Sequence, residues 1–91
     1  MYSKKVTIVN PTGLHARPAA EFCKNAGQYA SAIQIKRLTG EEKETNAKSV
    51  IGVMAMALSK GVEVEITAEG SDENKAVDTL TGLIESGFGE L

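Results

Sequence analysis

Tryptophan is absent from this 91-residue chain, and all aromatic residues together make up only 4% of it. With 42% hydrophobic residues, any core it builds must be aliphatic and rich in methionine. A lone cysteine, Cys23, rules out an internal disulfide and fits a reducing compartment. One cysteine and one histidine cannot furnish a zinc site, so neither a metal nor another cofactor is expected. There is no basic excess. Ten Lys and Arg against twelve Asp and Glu give a net charge of −2, which argues against a nucleic-acid partner. Long apolar runs are missing too. The longest, Val50 to Leu58, is broken by Gly52 and is about half a membrane span. Val6 to Val9 is far too short for the apolar part of a secretory signal. These absences lead to the expectation of one small cytoplasmic domain over residues 1–91, monomeric, with no membrane contact. A domain of this size buries little more than ~60% of its unfolded surface.

What is present centres on Asn10-Pro11-Thr12-Gly13-Leu14-His15-Ala16-Arg17-Pro18-Ala19-Ala20. A strand-like run ends at Val9, and Asn10, Pro11 and Gly13 are turn formers. A helical pattern then begins, and Pro18 is tolerated there only in the first helical turn, where its missing N–H is not needed. The single histidine, His15, is thereby placed at or just ahead of a helix start. Free backbone N–H groups and the positive end of the helix dipole make that location suited to anions, phosphate included. Arg17 adds a permanent charge with planar donors. An imidazole beside such a cradle can act as a nucleophile that accepts a phosphoryl group. The helix start and Arg17 are expected to disfavour the imidazolium and keep a ring nitrogen available. The plain alternative is that a lone histidine near a helix start is a cap or a surface residue.

Around that stretch the pattern reads β-α-β-β-α-β-α. Val6 and Ile8 mark a first strand. Ala19, Phe22, Cys23 and Ala26 give a first helix its apolar stripe, with Glu21, Lys24 and Asn25 turned outward. Ile33 and Ile35 mark a second strand running to about Leu38, Thr39-Gly40 a turn, and Glu41 to Thr45 a polar third strand suited to a sheet edge. Ser49 is the expected cap of a second helix with Val50, Val53, Met54, Ala57 and Leu58 on one face, ended by Gly61. Ile51 and Met56 fall off that face. Either a small core takes both sides of this helix, or Ile51 and Met54 belong to an exposed docking patch. Val62, Val64, Ile66 and Ala68 alternate strictly with polar residues as a fourth strand. A third helix follows, capped by Ser71, with Ala76, Val77, Leu80, Leu83 and Ile84 inward and Gly87 and Gly89 at its end. The expected class is α+β, an open-faced sandwich of a four-stranded antiparallel sheet with three helices on one face. The pattern by itself also allows a ferredoxin-like regulatory domain.

The string Gly13-Leu14-His15-Ala16-Arg17-Pro18-Ala19 resembles the active-site signature of the HPr family, the histidine-containing phosphocarriers of the bacterial phosphoenolpyruvate:sugar phosphotransferase system, and the resemblance extends over essentially the whole chain. It implies the βαββαβα phosphocarrier fold. It implies that His15 is phosphorylated on Nδ1 by phospho-enzyme I and passes the group to IIA domains of sugar permeases, with Arg17 as the motif arginine. Amides near Ala16 and Arg17 would hold the phosphoryl oxygens. By the same resemblance partners dock on the first two helices, at Ala20, Lys24, Lys48, Val50, Ile51 and Met54, with Arg17, Lys24 and Lys48 as a positive rim. Lys48-Ser49-Val50-Ile51-Gly52 resembles the family's regulatory serine site, which implies modification of Ser49 by an HPr kinase/phosphorylase where one is present.

Two segments depart from the common pattern. The hairpin at Arg37 to Asn46 is a few residues longer, and Glu85-Ser86-Gly87-Phe88 is more similar to the nitrogen-regulatory paralogue. Val53-Met54-Ala55-Met56 and Lys60-Gly61 are more similar to the sugar-type branch. A carrier rather than an enzyme is expected, with a nitrogen-regulatory paralogue or a non-catalytic anion- or partner-binding module as the alternatives.

Overall fold

The strictly alternating segment becomes the strand around which the sheet is built. The computed structural model describes residues 1–89. It contains β1 (Tyr2–Thr7), α1 (Arg17–Ala26), β2 (Ala32–Arg37), β3 (Lys43–Asn46), α2 (Val50–Ala55), β4 (Glu63–Glu69) and α3 (Glu73–Glu85). All strand pairs are antiparallel, and the sheet order is β1-β4-β2-β3. The last strand in the chain is therefore an inner one. Its register pairs Val6 with Val64 on one side and Ile35 with Ile66 on the other.

Period-two alternation sorts the two faces of the sheet. Val6, Ile8, Ile33, Ile35, Val64, Ile66 and Ala68 are buried beneath the helices. From α1 come Ala19, Phe22, Cys23 and Ala26, and from α3 come Ala76, Val77, Leu80 and Ile84. Burial of each large aliphatic or aromatic side chain contributes roughly 1.5–3 kcal/mol. Phe22, fully buried, is the largest of them. The opposite face is polar, and its residues match one another across the strands. Ser3, Thr67, Gln34 and Asn46 form one cross-strand row, and Lys5, Glu65, Lys36 and Glu44 the next. The second row alternates in sign, so each charge has an opposite neighbour, each pair contributing about 0.2–1 kcal/mol.

Three expectations are corrected. The second helix does not run to Gly61: α2 stops at Ala55, and Ala57 takes a left-handed backbone with φ 53°. Its buried residues are Val53 and, just beyond its end, Met56 and Leu58, while Val50 and Met54 are exposed. A six-residue helix has room for one inward side chain per turn, so the longer stripe never forms. The third strand begins at Lys43 rather than Glu41, because residues 38–42 are taken up by the turn. Ser71 does not cap α3. Asp72 occupies the N-cap, and its carboxylate turns away to accept from the N–H of Ala30 (2.9 Å), the N–H of Ser31 (3.0 Å) and the Ser31 hydroxyl. Glu73 accepts from Gly70 N–H at 3.1 Å in the turn ahead of the helix, and no side-chain cap bond is made at the start of α3 among the described residues.

Candidate functional site

Two connections, β1–α1 and α2–β4, meet ahead of α1. The β1–α1 connection turns at Asn10, a buried side chain whose Nδ2 donates to the Gly13 carbonyl at 2.8 Å. The Asn10 carbonyl accepts the Gly13 N–H at 3.1 Å, closing the turn. Gly13 has φ 67°, and a Cβ there would lie 2.8 Å from Ser59 Cα. Only glycine lets the loop lie this close to the segment that follows α2. One residue on, Leu14 is buried and its N–H donates to the Leu58 carbonyl at 2.8 Å. Leu14 thus pins the loop to the body of the protein, and the chain emerges at His15, Ala16 and Arg17, all exposed.

The helix begins at Arg17 with Pro18 in its first turn. Its N-cap is Ala16, at φ 49° and ψ −116°, a region that non-glycine residues rarely occupy and that costs about 1–3 kcal/mol. A methyl group accepts no hydrogen bond, so no side chain caps α1. Among the described residues, the N–H groups of Ala16 and Arg17 meet no protein acceptor, and the Arg17 side chain has no hydrogen bond or ion pair. Two donors without a protein acceptor, the start of a helix and a guanidinium thus fall within two residues of His15. An arriving anion with several oxygens meets that demand.

Beside His15 lies an open hollow of about 190 Å³, lined by Thr12, Leu14, His15, Met54, Ala57, Leu58 and Ser59. It joins the histidine to α2, where Ile51 is 84% exposed, Val50 38% and Met54 36%. Three large apolar side chains left in water on one short helix form an unusual surface for so small a protein. Ala20 and Lys24 are exposed on α1. Of the three cations expected to form a rim, Arg17 and Lys24 have no partner among the described residues, whereas Lys48 Nζ donates to the Tyr29 carbonyl at 2.9 Å. Ser49 caps α2, its hydroxyl accepting from Gly52 N–H at 3.1 Å. Gly52 admits the neighbouring strand, since a Cβ there would lie 3.2 Å from Thr45 Cβ. Cys23 is buried in the core, and loss of water pushes its thiol pKa up. Among the described residues no cluster of three His, Cys, Asp or Glu is placed to hold a metal ion.

A family model described as "PTS HPr component phosphorylation site" matches residues 2–86. The chain belongs to the HPr family. It is 39% identical to the phosphocarrier protein HPr of Lysinibacillus sphaericus over 84 residues, covering 92% of each chain. It is 43% identical to that of Haemophilus influenzae over 84 residues, covering 92% of this chain and 95% of the other. The crystal structure of HPr-C-His from Thermoanaerobacter tengcongensis superposes with a TM-score of 0.92 at 44% identity, covering 100% of this chain and 99% of that one. The open sheet with three helices is therefore the HPr fold, and the family's role is that of a phosphocarrier in the phosphotransferase system.

Sequence reasoning placed His15, Arg17 and Ser49 at helix starts, but it missed two supports of the site. Asn10 read only as a turn former, although Asn-Pro ahead of Gly is the signal of a side chain that braces its own turn. The Leu58 carbonyl that holds Leu14 left no trace, because a main-chain acceptor far along the chain carries no residue preference. No helix among the described residues is long and apolar enough to cross a membrane.

Proposed function

We propose that this chain carries phosphoryl groups on His15 in the cytoplasm, taking them from phospho-enzyme I and delivering them to IIA domains of sugar permeases. The observation that carries the reading is the exposed histidine directly ahead of a helix start whose first N–H groups have no acceptor among the described residues. The neutral ring attacks the phosphorus of the donor's phosphohistidine with a lone pair on one nitrogen. A new P–N bond forms as the donor's P–N bond breaks, and the donor ring keeps the electron pair. The N–H groups of Ala16 and Arg17, with the Arg17 guanidinium, balance the phosphoryl oxygens during that exchange. Delivery to a IIA histidine is the same step in reverse, so the chain ends each cycle unchanged and needs neither metal nor cofactor of its own.

Partners dock over Ala20 and Lys24 on α1 and Val50, Ile51 and Met54 on α2, with Lys48 at the margin. Apolar side chains supply the contact area, and Arg17 and Lys24 steer acidic surfaces toward it. Ser49 is the regulatory position. A phosphate there adds about −1.5 to −2 charges beside the apolar patch, opposing docking while leaving the helix start well served. Incubation with enzyme I and phosphoenolpyruvate tests the proposal. One acid-labile, alkali-stable phosphate per chain on His15 is the expected product. Phosphate taken up by a His15→Ala chain would refute the assignment. Charging by a nitrogen-type enzyme I alone would move the chain to the other branch of the family.

A further inference from the structure

Arg37 ends β2 and is half-buried, and its guanidinium is held from two sides. Nε donates to the carbonyl of Thr39 at 2.8 Å, inside the turn that follows β2. Nη1 reaches across to the carbonyl of Met56 at 3.0 Å, immediately beyond the end of α2. Thr39 is itself fixed, because its hydroxyl accepts from Glu63 N–H at 3.0 Å while Leu38 N–H donates to the Glu63 carbonyl at 2.8 Å. The guanidinium is thus mounted on the base of the long β2–β3 turn, which is anchored to the start of β4.

Its far end grips the carbonyl just beyond a short helix, whose last turn is closed by Met56 N–H to the Val53 carbonyl and Ala57 N–H to the Met54 carbonyl, both at 3.2 Å. α2 is six residues long, has no basic residue in its last turn, and gives way to Ala57 in a left-handed conformation. The negative end of such a helix gains from a cation, and this one is supplied by another element. From Met56 the chain passes through Ala57 to Leu58, whose carbonyl takes the Leu14 N–H next to His15. Ala57 and Leu58 also form one wall of the hollow against the imidazole.

We propose that Arg37 is a positioning residue for phosphoryl transfer. By fixing the Met56 carbonyl it sets the Ala57–Leu58 segment, and through the Leu14 bond it sets the loop from which His15 projects, without touching the phosphate. The proposal rests on the carrier reading given above. It makes the longer hairpin of this chain part of the active site's support.

The test compares the full-length chain with Arg37→Ala and Arg37→Lys, using enzyme I and phosphoenolpyruvate together with amide hydrogen exchange. In Arg37→Ala the saturating rate of His15 phosphorylation is expected to fall about tenfold, with KM unchanged, because alignment is lost while the docking residues remain. The Leu14 amide should exchange about tenfold faster, the size of one charge-assisted hydrogen bond, while the amides of β4 keep their protection. Arg37→Lys, which keeps one charged donor, should recover most of both. Unchanged Leu14 exchange and an unchanged saturating rate in Arg37→Ala would overturn the proposal. So would uniform loss of protection across β4, which would mean a general loss of stability. If the wild-type chain accepts no phosphate, the carrier reading fails and the transfer role fails with it. Leu14 exchange in the same samples still decides separately whether Arg37 holds the loop.

Discussion

The starts of α1 and α2 answer the same structural problem in opposite ways. At α2, Ser49 has an extended backbone (φ −98°, ψ 108°) and its hydroxyl takes the Gly52 N–H, so a side chain caps the first turn. At α1, Ala16 takes a rare conformation, offers no side-chain acceptor, and leaves the N–H groups of Ala16 and Arg17 without a protein acceptor among the described residues. A missing cap ordinarily costs about 1 kcal/mol. Here the chain bears that loss together with backbone strain, and places its single histidine beside the exposed donors. The comparison teaches that a helix start without a side-chain cap is informative when an adjacent one in the same fold has one.

The sharpest way to break the contrast is His15→Ala, which is expected to remove all phosphate acceptance from enzyme I while leaving the thermal transition in place. Next, Ala16→Asp puts an acceptor carboxylate among the free donors, so that α1 resembles a capped helix. Phosphorylation of His15 should slow by about a hundredfold or more, the range lost when one preorganised donor is removed from an oxyanion site. Stopped-flow transfer measurements would show it. A Gly13→Ala chain attacks the placement of the loop: a Cβ 2.8 Å from Ser59 Cα, at φ 67°, should destabilise the fold by about 1–3 kcal/mol in denaturant titration.

Ser49→Ala removes the finished cap, with an expected loss of about 1 kcal/mol, or about 4–8 °C in Tm for a domain this size. Ser49→Asp should keep the stability yet slow charging of His15, since its carboxylate caps the helix and adds charge beside Ile51. The smallest effect concerns α3. Asp72 titrates below the ordinary 3.8 because the Ser31 hydroxyl and then the Ala30 N–H hydrogen-bond its ionised form. A lowered folded-state value means stabilisation above the unfolded value, lost as pH falls through the folded one. Melting curves from pH 6 down to pH 2 should therefore fall more steeply for the wild type than for Asp72→Asn.

Much of this was legible because local chemistry and tertiary demand agree along most of the chain. Val62 to Ala68 alternated as the inner strand must, and Ala19, Phe22, Cys23 and Ala26 all reached the core. Ser49 read as a cap and is one. Where reading failed, a distant partner had taken over a local role. Asp72 displaced Ser71 at the N-cap while its carboxylate was drawn to Ser31, forty-one positions away. Ala57 ended the second helix early with a residue that has no preference for a left-handed backbone, and Met56, read as lying off the main stripe, is in the core, while Met54 and Ile51 follow the exposed-patch alternative. The bond from Arg37 to the Met56 carbonyl was equally invisible.

The most direct measurement is a ¹⁵N–¹H spectrum of the chain before and after phosphorylation of His15 by enzyme I. If the open end of α1 holds the phosphoryl group, the N–H protons of Ala16 and Arg17 should move downfield further than any others, while Gly52, already bonded to Ser49, stays in place. Ala16 and Arg17 signals that do not move in a fully phosphorylated sample would contradict the account.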